Sequence, residues 1–174
     1  MSLLKHLFGA RKTPAQVRSL YAAVVASGRD PHWYIEGQVP DTIDGRFDMI
    51  AALLALVLLR LEADGEPSRE MAVALTETFV DDMDGSLRQI GIGDLVVSKH
   101  VGKMMGALGG RLGAFRDAIA NGDGLTGPIR RNIFHEAPPS EEALRYVVTR
   151  LDQFRARLDS ADSAQIRAGT LPAL

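Results

Sequence analysis

Apolar positions recur at three- and four-residue spacing along most of the chain, and the alternation of a half-buried strand is nearly absent. This pattern predicts an all-α fold. Thr13-Pro14-Ala15-Gln16 offers a cap, a proline at the first helical position and a glutamine to close a capping box, and Gly28 offers a stop, so a helix is predicted over 14–27. Asp30-Pro31 opens a short turn with Trp33 and Tyr34, then Val39-Pro40-Asp41-Thr42 breaks the chain and caps a helix running to about residue 63. The middle of that helix is apolar all round, as expected of a central helix covered on every side.

The next helix, about 68–90, carries Ala72, Leu75, Phe79, Val80, Met83, Leu87 and Ile90 on one stripe, with Gly91 as its stop. Residues 93–97 read as a connector and Ser98 as the cap of a helix over 99–120. Pro128 opens a short helix to Phe134, and Ser140 caps a last one over 141–158. Together these describe one helical domain over 13–160, an amphipathic segment over 1–12 and a flexible tail over 161–174.

The chain has 174 residues, enough to bury roughly 70% of its extended surface without a disulfide or metal staple. Cysteine is absent, which removes thiol catalysis, cysteine zinc sites and iron–sulfur clusters. The longest apolar run, 49–59, has eleven residues, where a bilayer span needs about 20. The N-terminus lacks the apolar block of a secretory signal, so the expected location is the cytoplasm. Leu3, Leu4, Leu7 and Phe8 share one helical face, which suits a turn docked on the domain, with peripheral contact at a membrane surface as the alternative.

The net charge is only −2, which argues against bulk nucleic-acid binding, yet charge is unevenly placed. Residues 62–95 hold nine acids and two bases; residues 96–131 hold six bases and two acids. Two readings follow: solvated faces attracting each other within the domain, or a bipolar docking surface.

Catalytic motifs are missing. Asp81-Asp82-Met83-Asp84-Gly85 is the dense carboxylate cluster, but an EF-hand with Gly85 at its sixth position would begin at Val80 and end at Gly91, without first or last ligand. Asp81 and Asp84 match the one-turn spacing of an isoprenoid-synthase helix, and a Mg²⁺-dependent enzyme of isoprenoid or quinone type is therefore the alternative function, although a second cluster is not apparent. His6, His32, His100 and His135 form no zinc-type pair, and neither a phosphate-cradling glycine loop nor Gly-x-Ser-x-Gly occurs. The expected protein is not an enzyme and needs no cofactor or metal. Arg130-Arg131, beside Phe134, is too sparse for a nucleic-acid platform and reads as structural or partner-facing. Gly102, Gly106, Gly109, Gly110 and Gly113 weaken their helix by up to about 1 kcal/mol each relative to alanine. They admit either a close backbone neighbour or a segment kept labile for a partner.

Val39-Pro40-Asp41-Thr42-Ile43-Asp44-Gly45-Arg46-Phe47-Asp48, then Phe79-Val80-Asp81-Asp82-Met83-Asp84-Gly85-Ser86-Leu87-Arg88 and Gly91-Ile92-Gly93-Asp94, resemble the ubiquinol–cytochrome c chaperone family in order and spacing. Lys103-Met104, Gly110-Arg111, Ala114-Phe115, Arg131-Asn132-Ile133-Phe134 and Tyr146-Val147-Val148 are similar to its later blocks. Two positions depart from the pattern: Ala52-Leu53 where relatives often carry Leu-His, and Gly109 in place of an aromatic residue. The resemblance, which spans about 31–158, implies a bacterial-type, all-helical, non-enzymatic factor that holds newly made cytochrome b during assembly of the respiratory reductase. It also implies partners: the client membrane protein, with a ribosome or small copartner in mitochondrial relatives. Asp81, Asp82 and Asp84 are the expected contacts to basic client loops, with Arg111, Arg130 and Arg131 as further partner-binding candidates.

Overall fold

The computed structural model describes residues 14–89, 94–135 and 139–173. The expected segment 1–12, the Thr13 cap and the Ile90–Gly91 stop lie outside the described residues. Among the described residues every regular element is helical: α1 Ala15–Gly28, α2 His32–Ile35, α3 Ile43–Ala63, α4 Glu66–Gln89, α5 Asp94–Asn121, α6 Thr126–Ile129, a π-helical turn Arg130–Phe134, α7 Glu141–Ser160 and α8 Ser163–Arg167.

α3 is the axis. Thr42 caps it by accepting a hydrogen bond from the Gly45 amide at 3.1 Å, and Asp44 places a carboxylate in the first turn where the helix dipole favours it. Every residue from Asp48 to Leu58 is buried, and α1, α4, α5, α7 and the π-turn pack around that stretch. Trp33, Phe79, Phe115, Phe134 and Phe154 fill the space between them. Two glycines permit close approach: a Cβ on Gly28 would lie 2.7 Å from Ile50 Cγ1, and one on Gly45 would lie 1.9 Å from the Pro40 carbonyl oxygen.

α7 starts where expected, with Ser140 Oγ accepting from the Ala143 amide at 3.1 Å, and buries Leu144, Val147, Leu151, Phe154 and Leu158 along one stripe. The start of α5 differs from the sequence reading. It begins at Asp94, so Ser98 lies inside the helix, because Val97 and Val101 reach a small apolar cluster with Leu87 of α4 and extend the packed stripe upstream. Residues 161–173 also differ from the flexible tail expected of them. Asp162 caps α8 through the Ala164 amide at 2.8 Å, Ile166 is fully buried, and Ser163 Oγ donates to Asp64 at 2.6 Å. A few long-range contacts thus order a segment whose own composition is weakly apolar.

Candidate interaction site

α4 carries Asp81, Asp82 and Asp84 on the turn before Arg88. Asp82 accepts a hydrogen bond from the Tyr21 hydroxyl of α1 at 2.7 Å, and burial together with that carboxylate pushes the Tyr21 phenol far above its ordinary range. Asp84 is held by Arg88, with Nε 2.6 Å from Oδ2. Asp81 is exposed. The structure therefore keeps the three carboxylates on one helix but ties two of them to neighbours. Among the described residues no group of three or more His, Asp or Glu side chains is arranged to hold a metal ion.

The basic stretch divides. Arg116 pairs with Glu62 at 2.8 Å, which realises the attraction between the acidic and basic halves within the domain. Arg130 pairs with Glu141 at 3.0 Å, and Arg131 is exposed on the wall of an open cleft of about 600 Å³. That cleft also exposes Gly109, Gly110 and Gly113, and a Cβ at any of the five α5 glycines would meet nothing within 4 Å. No second backbone of this chain approaches them, so the close-neighbour reading does not hold among the described residues.

Arg111 is not on the surface. Its side chain is 2% exposed and forms an ion pair with Asp48, itself 5% exposed, where the buried stretch of α3 begins. The guanidinium also donates to the Asn132 carbonyl at 2.6 Å and lies over the Phe47 ring, 5.5 Å from its centroid. His135 Nε2 sits 2.8 Å from the other Asp48 oxygen. Burial pushes the Asp48 carboxyl up, against the opposing pull of Arg111 and His135, and burial likewise lowers Arg111 from its usual value while Asp48 opposes it. An arginine this basic stays charged, so the pair ties α3, α5 and the π-turn into one unit. The sequence reading missed this cluster, although the signal was present: Arg111 shares a helical face with Leu108, Phe115 and Ala118, all buried.

No described helix is long and apolar enough to cross a membrane. The geometry is that of a single all-helical domain whose accessible chemistry lies on charged and bare helix faces around a rigid, ion-paired centre. The family described as Ubiquinol-cytochrome C chaperone matches residues 36–173. The crystal structure of the Cbp3 homolog from Brucella abortus is similar to this chain with 30% sequence identity and a TM-score of 0.81, over 93% of this chain and 90% of that one. A comparison with curated proteins gives no match. The chain belongs to the ubiquinol–cytochrome c chaperone family.

Proposed function

We propose that the protein is a non-catalytic assembly factor of ubiquinol–cytochrome c reductase that holds newly made cytochrome b. The observation that carries the reading is the family match over residues 36–173, with a related fold extending over 93% of the chain. The exposed chemistry suits such a role, since the Asp81 face of α4 offers carboxylates to the basic cytoplasmic loops of a membrane client, and Arg131 borders the cleft, with the exposed Arg130 beside it in the chain. Arg111 has no part in such a surface, being buried. The working location is cytoplasmic, with peripheral contact at the inner membrane and a small copartner or the ribosome alongside.

Cross-linked affinity capture of the tagged protein from detergent-solubilised cells tests this. Cytochrome b should be enriched over an untagged control, and Asp81→Asn, Asp82→Asn and Asp84→Asn together should reduce that enrichment. Tyr21→Phe serves as the control for the lost Asp82 hydrogen bond. Reproducible absence of cytochrome b beside another enriched client would overturn the function, and unchanged capture by the triple variant would move the contact off α4.

A further inference from the structure

Two non-glycine residues among those described hold a positive φ, Gln38 at 51° and His135 at 48°; His135 belongs to the wall of a groove of about 340 Å³, and Gln38 precedes its other wall in the chain. His135 lines it directly, with Ile133 and Phe134 of the π-turn, opposite Pro40, Thr42 and Gly45. Gln38 lies two residues before Pro40, and its side-chain carbonyl accepts from the Ser140 amide at 3.1 Å, which ties this segment to the start of α7. Backbone held in sparsely populated conformations persists only where its surroundings enforce it, and such positions concentrate at binding sites. The π-turn is a second irregularity of the same kind.

The segment forming the first wall also carries the two most exposed large apolar side chains described, Ile35 at 70% and Ile43 at 69%. Ile43 stands between the groove residues Thr42 and Asp44. Ile35 follows Tyr34, whose ring lies 5.9 Å from the Arg46 guanidinium one turn into α3. Neither isoleucine serves the core. Of the acids here, Asp41 is held by Arg46 at 2.7 Å and Asp48 by Arg111 and His135, whereas Glu36 and Asp44 are exposed and have no ion-pair partner among the described residues. The arginines of the opposite wall face elsewhere: Arg130 is taken by Glu141, and Arg131 lines the separate cleft. The segment 35–44 that leads into the groove thus presents exposed apolar side chains and unpaired acids together.

We propose that this groove, together with the exposed 35–44 segment that leads into it, is a docking surface for a basic, apolar-anchored polypeptide segment of a partner protein. Its apolar side chains cover Ile35, Ile43 and Pro40, and its lysines or arginines meet Glu36 and Asp44. An anionic lipid surface is disfavoured by those same carboxylates. This surface is distinct from the Asp81 face of α4 and does not depend on the identity of the client.

The test titrates the ¹⁵N-labelled full chain with a synthetic amphipathic leucine–lysine peptide, its leucine–glutamate counterpart and phosphatidylglycerol vesicles. The leucine–lysine peptide should shift amides within 35–45 and 133–135. Binding should fall about tenfold or more with Ile35→Ser and Ile43→Ser together, and likewise with Glu36→Lys and Asp44→Lys together. Glu70→Gln, which removes a charge at an exposed position of α4, should leave it unchanged. All four replaced side chains are exposed, so thermal melts should show folded variants. The proposal is overturned by no shifts, by shifts centred on α4, by an equal response to the leucine–glutamate peptide or by preference for the vesicles. Shifts of the same amides with protein concentration alone would make a second copy the occupant and also overturn it. No step uses cytochrome b, so a negative result leaves the assembly-factor reading standing.

Discussion

α3 and α5 are both long helices at the centre of the domain, and they use their sequence in opposite ways. From Met49 to Leu58 α3 is apolar and covered on all sides, and its one buried charge, Asp48, has a dedicated partner. α5 supplies that partner, Arg111, from a stripe it shares with Leu108, Phe115 and Ala118, while its other face holds glycines with empty space above them. Helices in proteins draw most of their stability from packing rather than propensity, so α3 needs little else. α5 is anchored along one stripe only and carries glycines that weaken the rest. Glycine itself plays two roles here: Gly28 and Gly45 exist because a neighbour leaves no room, whereas the α5 glycines have room and do not use it.

The largest effect should come from breaking the link between the two helices. Asp48→Ala leaves the Arg111 charge buried without its carboxylate and should cost about 3–5 kcal/mol in urea unfolding. Replacing the pair by Leu and Met at 48 and 111 should recover most of that loss, since a buried pair is often no better than well-packed apolar residues. A double variant as unstable as Asp48→Ala would mean that the π-turn contacts of Arg111, not the charge, hold the centre together.

Gly45→Ala should come next, at about 1–3 kcal/mol, because the added Cβ meets the Pro40 carbonyl and only a backbone shift can relieve the clash. The opposite sign is expected on α5. Gly106→Ala and Gly109→Ala should each raise stability by about 0.5–1 kcal/mol, since both positions are helical and open. Equal signs at Gly45 and Gly106 in thermal melts would dissolve the distinction between the two kinds of glycine.

The smallest effect is local and depends on pH. Burial would raise the Asp64 carboxyl, but hydrogen bonds from Ser163, Arg60 and Ser68 outweigh it and hold the group below its usual range. A depressed folded-state value means that the stabilisation is complete above the unfolded carboxyl range, about pH 4, and is lost as pH falls through the folded value. The protection factor of the Ile166 amide, corrected for the intrinsic pH dependence of exchange, should therefore fall on acidification before those of the α3 amides, and Asp64→Asn should flatten that dependence.

The sequence revealed α3 readily, because an apolar run that follows a Pro-Asp-Thr break and cap is a local signal, and the Ser140 cap of α7 was legible for the same reason. α8 was not, because its order rests on residues distant in the chain: Asp64 against Ser163, and Gly169 so close to α1 that a Cβ there would lie 2.7 Å from the Gln16 carbonyl oxygen. Arg111 was misplaced because a charged residue type outweighed its helical phase, and its partner Asp48 lies 63 residues away. The carboxylates of α4 were visible as a cluster, but the engagement of Asp82 by Tyr21 appears only once α1 packs on α4.

The most direct test of the chaperone role places a photo-reactive residue at position 81, on the exposed face of α4, and irradiates cells during synthesis of cytochrome b. The expected result is a cross-link to newly made cytochrome b that is missing when synthesis is halted. Cross-links from position 81 to other proteins alone, with cytochrome b absent while the protein is folded and abundant, would contradict it.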